Sequence, residues 1–171
     1  MLAIRQATTA DAPTIALLGR ITFSETFGHL FEDKNDLLEY HQRTFSVDKI
    51  NGSLQKEQNI FWLAFYQKLP VSYAKLKLNS TSAFITKPQV CQLQKIYVSQ
   101  DFLSKKIGLH LQSTLIDEAS KRNFETIWLS VLKSNTRAIR FYEKNNFIPI
   151  GNHQFQIGKE NFSFLAMARK L

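Results

Sequence analysis

Cysteine is almost missing from this chain. Its single copy among 171 residues, Cys91, excludes an internal disulfide, and strand-like surroundings make it a small buried hydrophobe rather than a nucleophile. Long apolar runs are missing too. No stretch approaches the length of a membrane span, and Met1-Leu-Ala-Ile-Arg-Gln6 lacks the basic start and long apolar core of a signal peptide, so a cytoplasmic address and no membrane partner are expected. Histidine is sparse, and none of the four residues pairs with another at metal-ligand spacing; each is assigned to the surface or to packing, and no metal is expected. Internal repeats, low-complexity stretches and linkers are also lacking, which leaves residues 1–171 as a single domain.

Positive charge dominates without clustering. The net charge of +8 permits attraction to nucleic acid, to an anionic membrane or to a polyphosphorylated ligand. The lysines and arginines are spread along the chain, with no basic block and no nucleic-acid motif, so nucleic acid is not the expected partner. A non-catalytic basic nucleic-acid-binding domain stays as the alternative from a different class.

What is present is a well-filled globular pattern, with 44% apolar residues and 14 phenylalanines to build a core. Leu2–Ala7 alternates and predicts a strand. Thr8, Thr9, Asp11 and Pro13 then open a helix with Ile15, Leu18, Thr22 and Thr26 on its apolar face, flanked by Leu17, Ile21 and Phe23, and Gly28 ends it. Phe31–Phe45 predicts a second helix capped near Asn35, with Leu37, Leu38, His41 and Phe45 inward, and Ser46 caps a short third one. Asn59–Tyr66 and Val71–Leu78 form a hairpin around the turn Gln67–Pro70, with Val71, Tyr73 and Lys75 on one face. Residues 79–90 read as a polar, flexible loop. Glu125–Val131 is a fully buried strand by its unbroken apolar run. Ser134 or Asn135 caps a helix ending at Asn145-Asn146, and Phe147–Gly151, His153–Gly158 and Phe162–Arg169 are three terminal strands. The fold class is α/β with a mixed sheet.

The chain is organised around Gln92–Leu111. Leu93, Ile96, Tyr97 and Val98 predict a strand, and Ile107, Leu111, Leu115 and Ile116 recur at helical spacing from Lys105 to Arg122. The turn Ser99–Ser104 between them delivers the free N–H groups of a helix start to the strand's end, and Lys105 and Lys106 add full charge there. Such a place binds anions, so a phosphate site is the natural reading.

Downstream, Trp128–Phe147 with its Asn135, Ala138, Phe141, Tyr142 and Phe147 resembles the second signature block of the GCN5-related N-acetyltransferase (GNAT) superfamily. The preceding strand-turn-helix resembles that family's acetyl-CoA pyrophosphate site, whose pattern is Gln/Arg-x-x-Gly-x-Gly/Ala. Leu103, Ser104, Lys105, Lys106, Ile107 and Gly108 hold those positions, with Leu103 where Gln or Arg is usual and Lys106, expected in helical φ/ψ, where the first Gly is usual. The resemblance implies a GNAT fold, a mixed sheet of about six or seven strands flanked by helices. It also implies acetyl-CoA as co-substrate and direct transfer of acetyl to a primary amine in a ternary complex.

The resemblance further implies roles for single positions. Tyr142 matches the general acid near the CoA sulfur. The main chain at Ile96, Tyr97 and Val98 pairs with the pantetheine arm, and Asn135, Ala138 and Phe141 contact the cofactor. Many relatives carry a glutamate on the central strand as general base, but Gln92 and Gln94 stand there and cannot take up a proton. Either Glu25 or Glu32 acts through water, or the amine loses its proton to solvent. Thr22–Phe27, Ile127–Val131, Gly151–Gly158 and Met167–Lys170 resemble the PaiA-type spermidine/spermine acetyltransferases. A polyamine is therefore the expected acceptor, held by the acidic run Glu25, Glu32, Asp33, Asp36 and Glu39, with a protein or peptide amine as the alternative. A small-molecule amine is the expected partner, and a homodimer is compatible with the chain.

Overall fold

In the computed structural model, which describes residues 1–171, the alternating N-terminal residues form β1 (Leu2–Gln6). Asp11 closes the entry to the first helix: it accepts from the Thr8 N–H and holds the Arg5 guanidinium through two bonds of 2.8 Å. That pairing draws the Asp11 carboxyl down to about 2. Helix α1 (Ala12–Phe27) follows, then α2 (Lys34–Thr44) and α3 (Val47–Leu54). Asp33, not Asn35, caps α2, and Ser46 caps α3 as expected. The inner face of α1 is narrower than its sequence suggests, since Leu17 and Ile21 are exposed, and Leu38 of α2 points outward as well.

Seven strands make one sheet in the order β1-β2-β3-β4-β5-β7-β6. The hairpin is β2 (Asn59–Tyr66) and β3 (Leu69–Lys77). Its turn is tighter than Gln67–Pro70: Gln67 and Lys68 both take positive φ, the geometry of a two-residue hairpin loop, so pairing resumes at Leu69. An extra residue in β3, Val71, breaks the register against β2 and turns Val71 to the face opposite Tyr73. Residues 79–89 are tied down rather than loose. Ser80 is buried, donates to Gln92 Oε1 and accepts from Trp128 Nε1, and the Phe84 ring lies over Gly151.

The remaining elements are β4 (Val90–Val98), α4 (Ile107–Lys121), β5 (Thr126–Leu132), α5 (Thr136–Lys144), β6 (Ile148–Ile157) and β7 (Glu160–Lys170). The expected third and second last strands are one, β6, with a register break near Pro149. Strand β5 alternates between buried and half-buried residues, because each face meets a different layer. Helix α4 starts at Ile107, two residues later than predicted. A 3-10 turn over Gln100–Lys105 comes first, and Lys106 joins the two in the left-handed conformation, φ +59° and ψ 16°, not in helical φ/ψ.

The sheet separates two apolar layers. Ile107, Leu111 and Leu115 of α4 pack on one face with Leu93, Leu129 and Met167. On the other face α1, α2 and α3 bury Ile15, Phe23, Phe27, Phe45 and Ile50 against Phe61, Leu63 and Tyr73. Phe45 is wholly buried, and a methyl group added at Gly19 would stand 2.4 Å from its ring. Gly19→Ala should therefore lower the unfolding free energy by about 1–3 kcal/mol, overcoming the roughly 1 kcal/mol of helix propensity that alanine adds. Urea unfolding measures it, and a stabilised variant would show that the Phe45 ring yields freely.

Candidate active site

Strand β4 sits between an antiparallel neighbour and the sheet's one parallel neighbour, and it cannot follow both. It pairs with β3 from Lys77↔Gln92 to Ser72↔Val98, but Leu76 faces Leu93 while Lys75 faces Lys95, so Gln94 is an extra, bulged residue. Against β5 it pairs only at Val90, Cys91 and Gln92. Beyond Gln92 the two strands part, and a cavity of about 830 Å³ opens between them. That volume lies in the range of ligand pockets, about 300–1,000 Å³.

The open edge of β4 carries unpaired backbone. The Ser99 N–H donates to the Val71 carbonyl, and the Ser72 hydroxyl donates to the Tyr97 carbonyl at 2.6 Å. By the alternation of an antiparallel ladder, Tyr97 spends its backbone groups on β3, and Ile96 and Val98 turn theirs toward β5 and the cavity. Side chains alternate as well. Ile96 and Val98 pack with the α4 layer, while Tyr97 packs with the α1–α3 layer.

The turn into α4 lines the cavity with Leu103, Ser104, Lys106 and Gly108, and α5 adds Arg137 and Lys144 from its two ends. The first N–H groups of α4 have no partner within the helix, and Lys106 beside them lines the cavity. Gly108 forms part of the floor: a Cβ at that position would meet Val98 at 3.8 Å and Phe141 at 3.9 Å. Leu129, Val131, Ala138 and Phe141 line the apolar middle, and Asn135 caps α5 by accepting from the Ala138 N–H at 3.2 Å. Tyr142 reaches the cavity from α5 between Phe141 and Phe147, and burial raises its phenol well above the ordinary value, so the hydroxyl stays protonated and can donate. Cations and helix amides, apolar walls and an open strand edge suit a long ligand with phosphates at one end and amide groups along its arm.

Most of the residues expected at the site do meet here, and four do not. The Lys105 ammonium lies 5.6 Å from the Tyr66 ring centroid and does not line the cavity. Ile107 is fully buried in the core beneath the turn. The Glu25 carboxylate accepts from the Gln100 N–H at 2.9 Å, fastening α1 to the turn after β4. Glu32 is exposed and also lines no part of the cavity. Of the acidic run, Asp33 and Asp36 hold the β6–β7 turn: Asp33 pairs with the Lys159 ammonium at 3.2 Å and Asp36 accepts the Lys159 N–H at 2.8 Å. No aspartate or glutamate lines the cavity.

Sequence reasoning overlooked His29, Leu30, Lys95, Arg137 and Lys144. His29 and Leu30 enter from the turn after α1, and Lys95 from β4. Lys95 stands in register with Lys75, its ammonium 5.3 Å from the Phe45 ring centroid and 5.7 Å from that of Tyr97. Burial lowers Lys95 to about 8. Lys75 falls to about 7, through burial first and then through Lys95, Lys77, Lys56 and Lys49. The one readable signal was the change of phase in β4: apolar residues fall on 91 and 93, then on 96 and 98.

The model of the acetyltransferase (GNAT) family matches residues 22–147, and the chain belongs to that family. It is an acyltransferase with an α/β GNAT fold. An uncharacterized N-acetyltransferase from the pepI 3' region of Lactobacillus delbrueckii subsp. lactis is 22% identical over 157 residues, 92% of this chain and 90% of that one. The ribosomal protein bS18-alanine N-acetyltransferase of Escherichia coli K12 is 42% identical over 55 residues, 32% of this chain and 37% of its own. Among solved structures, the PaiA N-acetyltransferase of Thermoplasma acidophilum, in complex with coenzyme A, superposes with a TM-score of 0.78 at 19% identity, covering 100% of this chain and 99% of that one. The Escherichia coli ribosomal-protein-S18-alanine N-acetyltransferase gives 0.72 at 21%, covering 99% and 94%.

The two stacked lysines make stability depend on pH. Lys75 has a folded value near 7, far below its unfolded value of about 10.4, so between those values the unfolded chain binds more protons and stability rises with pH. Lys75→Met removes the buried ammonium and should raise the midpoint of thermal unfolding most at pH 6–7, the gain shrinking toward pH 10, with about 2–4 °C for each kcal/mol. A gain independent of pH would contradict the assigned desolvation.

Proposed function

We propose that this chain moves the acetyl group of acetyl-CoA directly to the α-amine of a peptide, with both reactants held in the cavity between β4 and β5. The single observation that carries this reading is the separation of those strands beyond Gln92, which leaves the Ile96 and Val98 backbone free beside Tyr142. When bound, acetyl-CoA supplies an activated thioester. Lys106, Arg137, Lys144 and the α4 amides would take its phosphates, and the β4 edge would orient the pantetheine arm as an added strand does. Lys106 stands where the family pattern has glycine. Left-handed backbone keeps the turn in the shape that glycine would give it. Tyr142, which burial keeps protonated, holds a proton for the leaving thiolate.

The cavity wall carries no carboxylate, and that bears on the acceptor. A peptide α-amine has a pKa of about 7.7–8.0 and is often neutral without help, whereas an alkylamine near 10.4 needs a base to become a nucleophile. His29, from the turn after α1, also lines the cavity. A polycation finds no counter-charge here, and Asp33 and Asp36 are committed to Lys159, so polyamines are the weaker reading. The local likeness to an alanine N-acetyltransferase acting on a ribosomal protein points the same way.

Thiol release from acetyl-CoA tests this. Peptides with a free N-terminus should be acetylated at pH 7 with kcat/KM at least about tenfold above spermidine, as the difference in neutral amine requires. Tyr142→Phe should lower kcat about 10–1000-fold with little change in acetyl-CoA affinity. Turnover of spermidine alone would refute the peptide acceptor, and unchanged turnover in the variant would make Tyr142 a packing residue.

A further inference from the structure

Lys95 and Lys75 are out of keeping with the rest of the interior. They are cross-strand partners on β4 and β3, half-buried and aromatic-walled, with Lys75 5.3 Å from the Phe61 ring centroid. Neither has a carboxylate partner; the protein's ion pairs are Arg5–Asp11, Arg122–Glu118 and Lys159–Asp33. The groups packed around them from the neighbouring elements are cationic or neutral. Lys49, Lys56 and Lys77 bear on Lys75, Arg20 bonds the Phe45 carbonyl, and Tyr40, Tyr73, Tyr97 and His41 complete the wall. Like charges this close and this dry repel, and nothing in the chain offsets them.

Their position gives the arrangement a use. Lys95 lines the cavity, and side-chain alternation places it with Tyr97 on the α1–α3 side, whereas Gly108 and the start of α4 lie with Val98 and Phe141 on the other. The cation is thus separate from the phosphate-binding end. We infer that Lys95, backed by Lys75, is an anion subsite on the acceptor side of the cavity, and that the acceptor is a primary amine carrying a carboxylate within a residue or two of the amine. The inference rests on the peptide-acceptor reading and narrows it. A carboxylate there gains charge-assisted hydrogen bonds in a poorly solvated place and relieves the repulsion between the lysines, while a second cation on the acceptor would add to it. Aromatic rims at Phe45 and Tyr97 fix the ammonium by cation–π contact and leave its remaining N–H donors for the ligand.

The carboxylate could belong to an acidic side chain or to the C-terminus of a very short peptide, and the test separates these. KM is measured for C-terminally amidated hexapeptides that differ only in Asp, Asn or Lys after an N-terminal alanine, and for alanyl-alanine and its amide, with the wild type, Lys95→Gln and Lys95→Arg. Circular dichroism and acetyl-CoA binding verify that each variant is folded. The Asp peptide should show a KM about tenfold or more below the Asn peptide, and the Lys peptide the highest. That ratio should fall toward one in Lys95→Gln and persist in Lys95→Arg. Preference for alanyl-alanine over its amide would place the carboxylate at a C-terminus instead. Calorimetry with the N-acetylated Asp hexapeptide provides a readout independent of turnover: binding should weaken from pH 6 to pH 9.5 as the lysines lose their protons, and be lost in Lys95→Gln. Equal KM for Asp and Asn peptides, or a ratio unmoved by Lys95→Gln, overturns the subsite. Lys95-dependent binding without turnover of any peptide refutes the peptide acceptor and keeps the subsite; neither binding nor turnover refutes both.

Discussion

A β-strand keeps step with neighbours on both edges only while its residues advance evenly, and the extra residue at Gln94 ends that for β4. Pairing with β3 resumes past the bulge, whereas pairing with β5 stops at Gln92. Everything that makes the site follows from the gap. The backbone of Ile96 and Val98 is released, α5 can bring Asn135 and Tyr142 to the opening, and the turn into α4 sets its amides at one end. An unbroken sheet would have spent those backbone groups on β5 and filled the cavity with side chains.

Charge divides the molecule along the same line. Lys106 lines the cavity from the start of α4, Arg137 and Lys144 from α5 and Lys95 from the α1–α3 side, while carboxylates near the first two helices serve as structural ties: Glu25 to the Gln100 N–H, Asp33 and Asp36 to Lys159. Those ties fix α1 and α2 over the sheet, so the acidic residues shape the acceptor side without entering it. Lys95, Lys106, Arg137 and Lys144 line the cavity with no carboxylate among them, so its wall is net positive.

Local rules made much of this legible in the sequence. Ser46 and Asn135 cap the helices expected of them, the hairpin and the α4 face follow apolar spacing, and the resemblance located Tyr142, Gly108 and the β4 edge. Errors came where distant contacts decide. Leu17, Ile21 and Leu38 fit an apolar stripe but meet no partner layer. Lys105 and Lys106 are adjacent, yet the left-handed step at Lys106 sends one to Tyr66 and the other to the cavity. Glu25 is tied to the Gln100 N–H beside the site and Glu32 is exposed, so neither lines the cavity. Lys95 went unnoticed because a lysine in a strand ordinarily reads as solvent-facing, whereas both faces of this sheet are covered and the bulge moves Lys95 from the face of Leu93 to that of Tyr97.

The proposed chemistry requires that the open β4 edge receive acetyl-CoA, and amide hydrogen exchange at Ile96 and Val98 tests this most directly. With saturating acetyl-CoA, exchange at these two amides should slow strongly, as an unpaired strand edge gains a hydrogen-bonded partner, while amides of Cys91 and Leu93 change little. Unchanged exchange at Ile96 and Val98 under saturation would contradict the account and place the cofactor elsewhere on the molecule.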